Sequence, residues 1–117
     1  MKRSKRVIRH QILSRLYARL REDHDFEWTE DAFVEGKLSL MQIDGLLAFK
    51  SDVQLEELRR ALERLENGTF GVCLACKGDI TQELLEADPT QRMCAHCEEQ
   101  FSHIVIRRYA APTLPVS

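Results

Sequence analysis

Two residues separate Cys73 from Cys76 and Cys94 from Cys97, and 17 residues lie between the pairs. Four thiols at that spacing form a metal-ligand set, because each two-residue spacer lets both sulfurs face one ion while N–H groups of the turn point at them. Four soft thiolates in a tetrahedral array favour zinc, with Zn–S bonds of about 2.3 Å. A sphere closed by four protein ligands leaves no position for water or substrate, so the Zn2+ is expected to be single and structural. Gly78, just after the first pair, is expected to supply the permissive backbone of the knuckle. His96 lies between two ligands but is directed away from the ion, and His103 is expected at the surface or beside a ligand. No βαβ pattern surrounds either C-x-x-C, which disfavours a thioredoxin-type pair. Paired carboxylates with a base, a nucleophile with its histidine and a phosphate loop are all missing from the sequence, so an enzyme is not expected.

Helices must position these cysteines. From Lys5 to Arg21 the apolar residues Ile8, Ile12, Leu13, Leu16, Tyr17 and Leu20 recur at spacings of three and four, one stripe of a helix ending near Asp23. Residues 24–36 mix acids with Phe26, Trp28 and Phe33 and lose the period, which predicts a loop or a short helical turn. Ser39 with Gln42, and Ser51 with Gln54, each fit a capping box. The stretch from 39 to 67 is therefore one long helix, the favoured reading, or a helix that breaks near Lys50. Leu55, Leu58, Leu62 and Leu65 form an apolar seam with charged residues outside it, and Asn67 and Gly68 supply a helix stop. Two amphipathic helices with one stripe each pair most simply as an antiparallel hairpin. The expected fold is mainly α: a coiled-coil hairpin over 1–67 with an acidic loop at about 22–38, then a four-cysteine knuckle globule with a C-terminal helix over 68–109. Residues 110–117, with Pro112 and Pro115, are expected to be a flexible tail.

The chain has 117 residues and a net charge of −2, unevenly distributed. Residues 1–21 carry eight basic side chains and no acidic one, whereas residues 22–36 carry seven acidic side chains and no Lys or Arg. No stretch is long and apolar enough for a membrane span and none resembles a secretory leader, so a cytoplasmic protein with reduced thiols is expected.

The run from Leu62 through Asn67, Gly68, Thr69, Phe70, Gly71 and Cys73 to Cys76, followed by Ile80, Leu85 to Thr90 and the Cys94/Cys97 pair, resembles the zinc-finger region of the bacterial DksA/TraR family. The resemblance covers roughly residues 55–100. It implies a zinc globule with a helical hairpin and a C-terminal helix, and a transcription regulator that binds RNA polymerase rather than DNA. It further implies entry of the hairpin into the secondary channel, an acidic tip near the catalytic magnesium, and synergy with the alarmone (p)ppGpp. The family's Asp-x-x-Asp-x-Ala tip pattern is missing, and Asp25, Glu30 and Asp31 supply carboxylates in the corresponding region. The alternatives are a nucleic-acid module built on the basic N-terminal helix, a protein interaction module, or a thiol redox switch. An overall acidic chain without aromatics interleaved on its basic face disfavours direct DNA binding.

Overall fold

A computed structural model of the chain describes residues 3–100. Helix α1 spans Lys5–Asp23. Ser4 begins it, its side chain accepting from the Val7 N–H at 3.2 Å. Ile12, Leu13, Leu16 and Leu20 of its apolar stripe are fully buried, with Ile8 and Tyr17 packed at the margin. The chain then turns through Asp25, which takes a left-handed backbone, and runs back beside α1. Helix α2, Glu30–Val34, is capped by Thr29 and buries Phe33 and Val34. Its return path is fixed by three contacts. Tyr17 Oη donates to the Trp28 carbonyl at 2.8 Å, His10 Nε2 lies 3.2 Å from Glu35, and Arg9 donates to the Leu38 carbonyl. Phe26, Trp28, Phe33 and Tyr17 form an aromatic cluster, with Phe26 and Phe33 edge to face at 5.4 Å.

Helix α3 spans Leu40–Leu47 and helix α4 spans Val53–Asn67. The capping box of Ser39 and Gln42 is present, with the two hydrogen bonds at 3.2 and 2.9 Å. The Arg59 guanidinium grips both Asp44 oxygens, at 2.7 and 2.9 Å, and joins α3 to α4. Leu55, Leu58, Leu62 and Leu65 are buried along α4 together with Ala61. α4 runs antiparallel to α1, since Arg19 meets Asp52 at one end while Lys5 and Arg9 meet Glu66 at the other. Gly68 closes α4 at φ 80°, and Thr69 N–H returns to the Arg64 carbonyl at 2.8 Å.

The favoured reading of residues 39–67 gives way to its alternative, and two further expectations are corrected. Residues 39–67 are two helices, because the backbone leaves the helix at Ala48 and becomes left-handed at Phe49. The second cap is Asp52 rather than Ser51: its carboxylate accepts from the N–H groups of Gln54 at 3.0 Å and Leu55 at 3.3 Å. The same carboxylate takes Arg19 Nε and His24 Nε2, both at 2.9 Å, and so ties the start of α4 to the end of α1. Burial pushes the Asp52 carboxyl up, but the hydrogen bonds from Arg19, His24 and Leu55 outweigh it and hold the group well below the usual carboxylate range. The acidic segment is likewise not a loop carried whole at the far end of a hairpin. Its aromatic residues give it an apolar face, and that face brings it back along α1.

Helix α5, Gln82–Ala87, is capped by Thr81. Cys73, Ile80 and Leu85 form a second small core, and Phe70 packs against both cores. Residues 95–100 are helical, and the rest of the expected C-terminal helix and the tail lie outside the described residues. No helix among the described residues is long and apolar enough to cross a membrane.

Candidate metal centre

The first knuckle is a tight loop. Val72 and Asp79 form an antiparallel bridge, the Cys73 N–H donates to the Gly78 carbonyl at 2.8 Å, and Ile80 N–H donates to the Gly71 carbonyl at 2.8 Å. This pairing folds Cys76 back over Cys73. The left-handed residue of the turn is Lys77 at φ 64°, not Gly78 as the sequence suggests. Gly78 serves a different purpose: its N–H points at Cys76 Sγ at 3.4 Å, as Cys76 N–H points at Cys73 Sγ at 3.5 Å. Leu74 N–H donates to the Arg92 carbonyl at 2.9 Å, which brings in the second knuckle, and Cys94 and Cys97 flank the start of the helical segment 95–100.

The result gathers Cys73, Cys76, Cys94 and Cys97 so that all four sulfurs lie within 4.8 Å of one another. None is in a disulfide. Tetrahedral bonds of about 2.3 Å require ligand sulfurs about 3.8 Å apart, and Cys76 Sγ and Cys94 Sγ are 3.9 Å apart. The four residues therefore fit a tetrahedral metal ion. The thiols themselves differ in acidity. The N–H groups of Cys76 and Cys94 draw the Cys73 thiol down to about 6, while hydrogen bonding with the Cys94 thiol and burial push the Cys97 thiol up to about 12. One thiolate makes the next harder to form at such separations, and a divalent cation at the centre removes that opposition. His96 is exposed and does not join the cluster. His103 lies outside the described residues.

The acidic residues singled out in the sequence are not brought together in one turn. Asp25 is exposed in the reversal after α1, whereas Glu30 and Asp31 are exposed in the first turn of α2. The basic N-terminal stretch is mostly committed within the chain. Arg3 donates to Gln11, Lys5 and Arg9 approach Glu66, Arg19 pairs with Asp52 and Asp23, and Arg21 donates to the Phe26 carbonyl. Arg15 donates to the Ala87 carbonyl at 3.0 Å and Gln11 to the Glu86 carbonyl at 2.9 Å. These two side chains satisfy the C-terminal carbonyls of α5 and dock the metal-site unit on α1. Sequence reasoning missed that role, as it missed Asp52, because the partners lie too far along the chain for any local pattern to mark them.

Among its described residues the protein is thus mainly helical, with a cysteine cluster suited to a metal ion. No family model matches the chain, and no solved structure matches it. It is 41% identical over 60 residues to an uncharacterized protein of Aquifex aeolicus (strain VF5), a stretch that takes in 49% of this chain and 41% of that protein. It is 43% identical over 44 residues to General stress protein 16O of Bacillus subtilis (strain 168), covering 38% of this chain and 27% of that one. The chain therefore matches less than half the length of either relative.

Proposed function

We propose that the four cysteines hold one structural zinc ion, and that this zinc-braced protein regulates bacterial transcription by binding RNA polymerase directly through the secondary channel. The observation that carries the reading is a closed four-sulfur site directly following one member of an antiparallel helix pair. That is the arrangement implied by the resemblance of residues 55–100 to the DksA/TraR family. A four-thiolate zinc has no open position, so the ion supports the fold and takes no part in a reaction. The working surface is then the end of the α1–α4 pair remote from the cysteines, a short form of the coiled-coil hairpin expected from the sequence. Asp25 stands at that end, close in sequence to Glu22, Asp23 and Glu27, with Glu30 and Asp31 set back along α1. Carboxylates brought near a bound cation change its coordination and the local potential. The commitment of most N-terminal cations to internal contacts weakens the nucleic-acid alternative, since a phosphate-binding stripe needs them free.

The test is an affinity capture of zinc-loaded protein on RNA polymerase, with a photo-cross-linker placed in turn at positions 25, 30 and 31. Retention and cross-links from position 25 to the channel interior are expected, as is loss of the transcriptional effect in Asp25→Ala. Failure of the zinc-loaded chain to be retained by polymerase would end this reading.

A further inference from the structure

The turn between α3 and α4 presents two apolar side chains to solvent: Phe49 is fully exposed and Val53 is 73% exposed. Single exposed apolar residues are ordinary. Phe49 is not, because its backbone is left-handed at φ 66°. A bulky residue is an outlier in that conformation, which glycine adopts freely. The strain holds an aromatic ring where it joins neither core, and strain of this kind is an observation from which function is inferred. The place of the ring follows from the path of α3. Ser39 and Leu40, at its start, share a hollow with Leu62 and Glu66, whereas Leu47 and Ala48, at its end, share one with Asp52 and Leu55. α3 is therefore antiparallel to α4, and Phe49 stands at the end of the α1–α4 pair remote from the cysteines. The reversal after α1 is alongside, since His24 Nε2 lies 2.9 Å from Asp52. Asp25 and Glu27 of that reversal are exposed and have no ion-pair partner among the described residues. The cations nearby are engaged, Arg19 with Asp23 and Asp52, and Lys50 with the Leu46 carbonyl at 2.9 Å. An exposed aromatic ring thus sits in a negative surround.

We propose that Phe49, flanked by Val53, is an apolar anchor that inserts into a pocket of the partner protein rimmed by Lys or Arg. The inference rests on the polymerase reading above and names the side chain that makes the contact. Aromatic side chains that fill a desolvated pocket carry much of the binding energy of protein interfaces. Phe49 stands in water in the free chain, so docking gives up no internal packing. The acidic surround sets the chemistry of the pocket's rim, because opposite potentials meet across an interface. A second copy of this chain does not fit, since it would set the acidic end against itself. Two side chains also fall well short of the roughly 800 Å² per partner that a stable interface buries. An anionic lipid surface is opposed by the same charge.

The affinity of the zinc-loaded full chain for purified RNA polymerase is measured for wild type, Phe49→Gly and Phe49→Leu, with urea unfolding of each in parallel. Phe49→Gly is expected to bind about tenfold or more weakly. Its urea midpoint is expected to stay where it is, because relief of the left-handed strain offsets the greater freedom of glycine in the unfolded chain. Phe49→Leu is expected to recover part of the affinity, since leucine fills part of the same pocket. Weaker binding at unchanged stability is a combination that a merely structural role does not produce. Equal affinity of wild type and Phe49→Gly overturns the inference and leaves the polymerase reading standing, whereas a wild type that polymerase does not retain ends both. Sedimentation that shows a dimer of the free chain, lost in Phe49→Gly, assigns the ring to self-association and also overturns the inference.

Discussion

Replacing Asp52 with alanine removes one carboxylate that serves two purposes, and the loss is calculable. The first is the cap of α4, with N–H groups of Gln54 and Leu55 at 3.0 and 3.3 Å; an N-cap deletion costs about 0.5–2 kcal/mol. The second is the charged hydrogen bonding to Arg19 and His24 at 2.9 Å, where each such bond contributes about 1.5–3 kcal/mol. Arg19 keeps Asp23 at 3.1 Å and His24 is already in part solvated, so only about one charged bond is lost in net terms. The sum is about 3 kcal/mol, and with a urea slope of about 1.5 kcal/mol/M it lowers the midpoint by about 2 M. Asp52→Asn retains the cap, because asparagine caps as well as aspartate, and loses about 1–2 kcal/mol from the missing charge. Its pH dependence supplies the sharper check. A carboxyl whose folded pKa is depressed contributes stability that is complete above its unfolded value, about 3.9, and is lost as pH falls through the folded value. The gap between wild type and Asp52→Asn therefore narrows as pH falls from about 5.5 to 3, while acid loss of metal affects both chains alike and drops out of the difference. Equal urea midpoints for wild type and Asp52→Ala, or a gap that stays constant across that pH range, would refute the account of Asp52.

Chelation of a zinc-loaded sample is expected to melt the region after Gly68 while α1 and α4 keep part of their helix, since apparent binding energies of such sites, about 10–16 kcal/mol, exceed the stability of a small domain. Far-ultraviolet circular dichroism that does not change after complete metal removal would contradict it, and Cys73→Ser is expected to reproduce the chelated spectrum. Gly36→Ala forces a β-carbon against the Ala32 carbonyl oxygen at 2.2 Å, so α2 must shift; a loss of about 1–3 kcal/mol is expected in urea unfolding, with a red shift of the Trp28 emission as its packing on Phe26 and Phe33 loosens.

The elements that were legible in the sequence are those whose determinants are local. The α1 stripe, the seam from Leu55 to Leu65, the capping box at Ser39 and the stop at Gly68 each depend on residues within a few positions of one another. The cysteine cluster was legible for the same reason, since two C-x-x-C turns leave little freedom in how their sulfurs meet. The break between α3 and α4 was legible only as the less favoured alternative, because Leu46, Leu47 and Leu55 continue an apolar pattern across it. What decides it is Asp52, made valuable by Arg19 and His24, roughly thirty positions earlier. The return of residues 24–38 along α1 was concealed in the same way. Their acidic composition reads as solvated loop, yet Phe26, Trp28 and Phe33 have a surface to cover only once Tyr17 is placed beside them. Gly78 was read as the turn residue of the knuckle because glycine tolerates left-handed backbone, whereas Lys77 adopts that conformation and Gly78 presents its N–H to sulfur.

The pairing of Gln11 and Arg15 with the end of α5 has a consequence for biosynthesis. Gln11 waits for a carbonyl 74 positions downstream, which at elongation rates of about 5–20 residues per second is about 4–15 s of translation. Until residues 53–67 are made the apolar stripe of α1 has no α4 to cover it, and for the whole interval it lacks the metal-site unit. A nascent chain of this kind is a client for hydrophobic capture at the ribosome, and slowing elongation before residue 53 would lengthen its exposure while slowing it after residue 90 would not.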